Sequence, residues 1–492
     1  MILRLPINKG WMPDLVSNDI AKAGGLVTAK NIIPVSGNYL PVLGKSTFNS
    51  TALSGTPVGG CTIQDTDGGY VNFAGTSTKL YRFTKGSLTD ITRASGGAYS
   101  AASWQFEEYG SWLLATDGVD EIQVLKGLTA ANFQALGGSP PEKAKYFLVN
   151  NGYLVLAHIT ESTILSPKKI RWSGLENIET WTIDPAGTGA DSQDFPDMKG
   201  IITGIGSIGD NFVIASEYSL TLGSYTGGAF IFQFQPNYVK NIGCFYPKSF
   251  ISVGNGLFFW GRDSIYMVDN TGAPHDIGGS IKKTLFSDIN IGYAHLISVS
   301  HDPTNGLIMW GYPRVSSTTP NRILVYSYKE DRFTYIDLDL YCLWVGSAGS
   351  ISIDELTVSI DELNIPIDSN YWLNNQLQPF LVDTSDSKIK TLTGSALTTE
   401  IETGEVYENP KVLMARKVYT PVELLTGSGT VTIKHRYSAL DSQTSATATA
   451  IKSDGYTDVR STNRRLAVNL TASGYSKLGN VIEIDAVESG SR

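Results

Sequence analysis

The sequence predicts an all-β protein, a six-bladed β-propeller followed by a β-sandwich-like domain. Three observations carry that prediction. Six short apolar runs each rise out of a Gly/Asn/Asp-rich turn: Tyr70-Val-Asn-Phe-Ala, Trp112-Leu-Leu-Ala-Thr, Tyr153-Leu-Val-Leu-Ala, Phe212-Val-Ile-Ala-Ser, Leu257-Phe-Phe-Trp-Gly and Leu307-Ile-Met-Trp-Gly. They recur every 41 to 59 residues, close to the spacing of propeller blades, none of which can bury its own apolar faces alone. The 50 glycines and 24 tyrosines, with Thr/Ser/Val-rich segments and few helical runs, suit turns and half-buried pleated surfaces. Five alternating segments then crowd into the last hundred residues, beginning at Glu400, Val412, Gly429, Arg465 and Val481, as expected of a small sandwich.

In chain order, residues 1–45 read as an extended segment, because Pro6, Pro13, Pro34 and Pro41 interrupt any helix. A closed ring often shares its last blade between the two chain ends, so this segment is expected to complete the propeller. The propeller itself is expected over 46–345. Five of its six openings continue through a turn into a second run, at Lys79, Glu121, Ser219, Ser264 and Arg322. Gly137-Gly-Ser-Pro-Pro141 separates the second and third units, and Asp184–Met198 separates the third from the fourth. Short helices fit best at Ala21–Lys30 and Lys282–Asp288. Residues 346–394 read as an acidic linker with strands. There Ile351-Ser-Ile-Asp-Glu-Leu is echoed by Val358-Ser-Ile-Asp-Glu-Leu. Asp354, Glu355, Asp361, Glu362 and Asp368 lack the glycine bend and closing Glu of a calcium loop. Residues 395–492 form the sandwich-like domain, with Ser442–Ala450 as a low-complexity loop.

Composition narrows the function classes. A chain of 492 residues exceeds one ordinary core. No stretch approaches the ~20 apolar residues of a membrane span, and Met-Ile-Leu-Arg-Leu-Pro lacks the apolar region of a secretory signal. Cys61, Cys244 and Cys342 are odd in number and widely spaced, so they read as buried thiols in a reducing compartment, with no disulfide or metal framework. The formal net charge of −9 does not suit electrostatic gripping of nucleic acid.

Motifs for catalysis are missing from the sequence. The five histidines, His158, His275, His295, His301 and His435, show no metal-ligand spacing. His301-Asp302 leads into Pro303-Thr-Asn-Gly306, which reads as a turn. No nucleophile elbow, phosphate loop or sialidase-type Asp box occurs. Trp172, Trp181, Trp260 and Trp310 sit at strand positions that favour the core over a sugar groove. No catalytic, cofactor-binding or metal site is therefore assigned.

Three stretches taken in order resemble the tail nozzle proteins of short-tailed bacteriophages, also called packaged-DNA stabilisation or head-completion proteins. The first comprises Pro141-Glu-Lys-Ala-Lys-Tyr, Asn151-Gly-Tyr-Leu-Val-Leu-Ala and Ile170-Arg-Trp-Ser-Gly-Leu-Glu-Asn-Ile-Glu-Thr-Trp. The second comprises Gly243-Cys-Phe-Tyr-Pro-Lys-Ser-Phe, Gly256-Leu-Phe-Phe-Trp-Gly-Arg-Asp and Ile277-Gly-Gly-Ser-Ile-Lys. The third comprises His301-Asp-Pro, Leu307-Ile-Met-Trp-Gly-Tyr-Pro and Arg322-Ile-Leu-Val-Tyr-Ser-Tyr, and the ending Arg464-Arg-Leu-Ala-Val is similar too. The resemblance implies a structural virion protein with no enzymatic activity and no cofactor. It implies six copies ringed below the adaptor on the portal, assembled in the host cytoplasm, with tail fibres or a needle as further partners. Genomic double-stranded DNA would be retained by the ring and would pass through it without sequence-specific binding.

Six copies would total 6 × −9 = −54, and acidic walls would repel phosphate over the ~8–10 Å screening length. The candidate channel or interface residues are Asp184, Asp191, Asp194 and Asp197. The alternative from another class is a propeller that binds or hydrolyses glycans.

Overall fold

The computed structural model of the chain describes residues 1–65, 68–228, 230–269, 272–348, 377–407, 411–423 and 425–491. Its strands assemble mainly into four-stranded antiparallel meanders that follow one another along the chain. The first sheet is Pro57–Gln64, Tyr70–Thr76, Leu80–Phe83 and Leu88–Asp90. The second is Gln105–Tyr109, Trp112–Thr116, Gln123–Leu125 and Gln134–Ala135. The third is Lys143–Asn150, Tyr153–Glu161, Ile164–Trp172 and Asp191–Asp194. The fourth is Ile202–Ile208, Asn211–Ser216, Ser219–Tyr225 and Phe232–Lys240. The fifth is Ile251–Val253, Gly256–Trp260, Ile265–Asp269 and Pro274–Asp276, and the sixth begins Ser298–Asp302, Leu307–Tyr312, Arg322–Ser327 and Arg332–Asp337.

A seventh sheet follows, which corrects the expected six. Leu343–Ser347, Leu377–Val382 and Ile389–Thr391 pair in turn, and Ser46–Thr47 supplies the outer strand. Two of these strands fall in the segment read as an acidic linker. The repeated carboxylates from Asp354 to Asp368 lie outside the described residues. First strands of neighbouring sheets touch from the first sheet to the fifth, the Pro247–Ser249 turn carries the contact from the fifth to the sixth, and the seventh touches both the sixth and the first. The all-β, propeller-like ring therefore closes on itself.

The six sequence runs are the second strands of the first six sheets. Each such strand is buried on both faces, one against each neighbouring sheet. Within Trp112–Thr116, Leu113 packs in the cluster with Phe73 and Trp104, while Leu114 packs with Phe147 and Leu156. Double burial makes these strands solid apolar runs, the pattern of a strand covered on both sides.

Sheets splayed around an axis cannot continue one backbone ladder, so side chains satisfy groups at each seam. Trp104 Nε1–H donates to Thr76 O at 2.9 Å, and Thr116 Oγ1–H to Ala144 O at 2.6 Å. His158 Nδ1 lies 3.1 Å from Ile202 O, and Ser252 Oγ–H donates to Ser207 O at 2.8 Å. Trp310 Nε1–H reaches Ser249 O at 2.9 Å, and Leu343 N–H reaches Ser298 Oγ at 3.1 Å. Asn72 closes the seventh seam, donating to Ser347 O at 2.9 Å and accepting from Ser347 N–H at 3.0 Å.

The N-terminal segment serves the sandwich and not the closing sheet of the ring. No strand of residues 1–45 joins the seventh sheet, whose outer strand Ser46–Thr47 follows that segment; instead Ile2–Pro6 pairs with Val481–Ser491 and Leu26–Lys30 pairs with Thr399–Thr403. The sandwich-like unit is thus built from both chain ends. One sheet orders Ile2–Pro6, Val481–Ser491, Lys411–Tyr419 and Tyr456–Asn463. The other contains Leu26–Lys30, Thr399–Thr403, Arg465–Ala472 and Gly429–Arg436, and is continuous with the sixth propeller sheet. The junction is a parallel pairing at Lys30 and Tyr335. It is reinforced by Lys30 Nζ, 3.1 Å from Asp337, and by Arg322, whose Nε is 2.6 Å from the same carboxylate. One apolar cluster joins Trp260, Trp310 and Phe333 of the propeller to Leu413, Val468 and Ile484 of the sandwich. Helices occur at Ser17–Ala23 and Lys282–Asp288. The second matches expectation, while Leu26–Lys30 of the first expected helix is a strand.

Candidate functional site

Asp184, Asp191, Asp194 and Asp197 sit at the outer rim of the third sheet. Asp184–Met198 is not a simple separator, since Asp191–Asp194 forms that sheet's fourth strand, with Trp172 opposite Asp191 and Lys169 opposite Asp194. Asp184 opens a tight turn: its Oδ1 accepts Gly187 N–H at 3.0 Å, and its backbone bridges Ala190. Asp191 Oδ1 accepts Ser192 N–H at 2.8 Å. Those two carboxylates are partly committed to local backbone. Asp194 and Asp197 are exposed, and neither carboxylate has an ion partner among the described residues. They line a cleft of about 750 Å³ between the outer strands of the third and fourth sheets, together with Phe232, Phe234 and Pro236. Phe230, 81% exposed, stands at its rim. An unpaired aspartate pair beside exposed aromatic surface has the makeup of a contact surface more than of a reaction centre.

A second feature was not legible in the sequence. A cavity of about 230 Å³ lies on the propeller axis, and all seven sheets or the turns leading into them contribute to its wall. Gly59 and Gly60 from the first sheet and Gly204 from the fourth leave room for bulky neighbours. A Cβ on Gly60 would come within 2.5 Å of the Trp344 indole. Tyr146, Lys248, His295, Tyr341 and Trp344 also line the cavity, which contains no carboxylate side chain. Burial, with Lys145 nearby, pushes the Lys248 ammonium down to about 8. Burial raises the Tyr146 phenol far above its ordinary range. The Trp344 indole N–H is buried without an acceptor.

Acidic groups lie farther along the inner strands. Burial first, and Glu108 next to it, push Glu107 up to about 7, against the single long hydrogen bond from Val149 N–H at 3.4 Å. Cys61 is held protonated by burial and by Glu107 and Glu108, while burial pushes Cys244 and Cys342 up to about 12. All three cysteines are free thiols. His301 Nε2 contacts Tyr328 OH at 3.2 Å, and Asp302 closes its turn by accepting from Asn305. Trp172, Trp181, Trp260 and Trp310 are buried. Among the described residues, no group of His, Cys, Asp and Glu is arranged to hold a metal ion. No helix among them is long and apolar enough to cross a membrane.

Comparison adds little to this geometry. No family model matches the chain, and no curated protein matches it. Among solved structures, similarity is found to a chain in a structure described as "Crystal Structure of Mitotic Checkpoint Complex", at 13% identity over 61% of this chain and 91% of that one, with a TM-score of 0.37. A superposition that loose carries no argument about function. The chain is an all-β, propeller-like protein on the testimony of its own sheets.

Proposed function

We propose that the protein is a structural wall segment of a phage tail nozzle, a ring of identical subunits below the portal adaptor that retains packaged DNA and conducts it on ejection. The observation that carries this reading is the unbroken sheet running from the sixth propeller sheet into the sandwich. A wall segment must transmit load between its parts, and a shared sheet with a shared core resists bending where a linker would not. The ordered motif resemblance along most of the chain supplies the family expectation.

Charge distribution favours assembly. Residues 46–410 hold 22 Lys+Arg against 38 Asp+Glu, a formal −16, whereas the two ends hold 16 against 9, a formal +7. On the sandwich, Arg416, Lys417 and Arg460 line a groove of about 660 Å³ whose wall also holds Asp458, a net excess of basic groups. The groove belongs to the unit attached at the sixth sheet, whereas the Asp194–Asp197 cleft lies between the third and fourth sheets, so the two are separate surfaces of one subunit. Complementary patches on two different surfaces produce head-to-tail contacts, which close into rings when the rotation allows. In this reading the outer cleft is an inter-subunit contact, and acidic propeller flanks keep DNA from adhering to the conduit.

Light scattering and electron microscopy of the purified chain, alone and with a phage adaptor, test the proposal. Particles of about six subunits with an axial hole are expected. A persistent monomer, or a monomer that cleaves a polysaccharide, would overturn it.

A further inference from the structure

We propose that the axial cavity is a binding site for a small oxyanion, a carboxylate or phosphate group, held by Lys248. The inference does not depend on the nozzle reading.

Lys248 belongs to the turn Pro247–Ser249, which leads into the fifth sheet, and its side chain lines the cavity wall. Its ammonium has no hydrogen-bond or ion partner among the described residues. No carboxylate lines the wall, and the charged neighbour acting on the ammonium is Lys145, another cation. A half-buried ammonium placed this way loses hydration and gains no counter-charge, an arrangement that costs free energy unless an anion completes it. This is an anomaly in a chain with nine more acids than bases, because ordinary surface statistics would supply a carboxylate. Glu107 and Glu108 on the second sheet's inner strand act on Cys61, Glu107 accepts from Val149 N–H, and neither lines the cavity.

The remaining wall suits an oxyanion's other lone pairs. Trp344 brings a buried indole N–H that lacks an acceptor, and Tyr146 brings a phenol kept protonated by burial. A volume of about 230 Å³ admits an ion between phosphate and a small dicarboxylate in size, and is below the ~300–1,000 Å³ of sites for drug-sized ligands. The site is formed only when the ring is closed, because its wall draws on all seven sheets. A bound anion would therefore also stabilise closure, by mass action on the folded state alone.

The test uses the full-length protein at constant ionic strength, with sodium chloride exchanged for inorganic phosphate in one arm and for malonate in the other. Saturable binding by calorimetry, with a rise in melting temperature, is expected in at least one arm, and the arm that responds identifies the anion. Lys248→Met should weaken that binding at least tenfold, whereas Lys282→Met, outside the cavity wall and paired with Asp276, should not. Acetylation of wild-type protein followed by mass spectrometry gives a second reading that needs no variant: Lys248 should be modified readily at neutral pH and protected by the anion. Absence of saturable binding in both arms would overturn the proposal. So would unchanged binding by Lys248→Met, or labelling of Lys248 that neither anion reduces.

Discussion

At the scale of single residues, burial shifts ionisable groups of the innermost strands and turns in opposite senses, lowering Lys248 and raising Glu107. Glu107 is the clearest case. Its carboxyl titrates near 7 in the folded chain against an ordinary 4.5, so between those values the folded state holds a proton that the unfolded state has released. Stability from this group is present at acidic pH and falls as pH rises from about 4.5 to about 7. Glu107→Gln removes that loss while keeping an acceptor for Val149 N–H. The variant is expected to exceed wild type by about 1–3 kcal/mol at pH 8 and to match it near pH 4.5, as read from urea unfolding at the two pH values. An equal effect at both would show that Glu107 is not protonated in the fold. None of this was visible in the sequence, where Glu107-Glu108 is one acidic pair among 47 acids. Its burial follows from Gln105 and Glu107 reaching across the seam to Phe147 and Val149.

At the scale of elements, the sequence displayed the second strands best and the outer strands worst. Second strands are covered on both faces, so apolar side chains fill every position and the run stands out. Outer strands such as Gln134–Ala135 and Asp191–Asp194 are short and half-exposed, and their side chains resemble loop. The seventh sheet was missed for a related reason. Its second strand, Leu377-Gln-Pro-Phe-Leu-Val382, begins 70 residues after the sixth at Leu307, beyond the repeat interval, and carries a proline. The Ser46–Thr47 strand is two residues long and has meaning only through its partners, Lys390 and Thr391.

The N-terminal strands yield an element-scale prediction. Residues 1–47 supply the closing strand and strands of both sandwich sheets. Their removal leaves the apolar faces around Leu413, Val468 and Ile484 uncovered. A chain starting at residue 48 is expected to lose native near-ultraviolet dichroism and to aggregate. Cooperative unfolding of that fragment at the wild-type midpoint would refute this role.

At the scale of the whole molecule, the question is how copies meet. If the Asp194–Asp197 cleft of one copy meets the Arg416–Arg460 groove of the next, reversing charge on either side should weaken assembly, and reversing both should restore it in part. Asp194→Arg/Asp197→Arg and Arg416→Glu/Arg460→Glu are each expected to move the sedimentation profile at least tenfold in concentration toward single subunits, with recovery when the two proteins are mixed. Rising salt should act in the same direction, because exposed pairs are screened. A wild-type ring indifferent to both reversals would locate the interface elsewhere and leave the ring itself standing.

The sequence alone determined the all-β class, six of the seven repeated units and most strands of the sandwich, because each is written in local periodicity and turn chemistry. The tertiary structure decided the seventh sheet, the sharing of the sandwich between both chain ends, and the cavity that gathers Lys248, Tyr146 and Trp344. Those features depend on pairings between residues more than 300 positions apart, such as Ser46 with Thr391 and Ile2 with Asp485. No local pattern encodes such a pairing; it arises when closing the ring buries more apolar surface than any open arrangement.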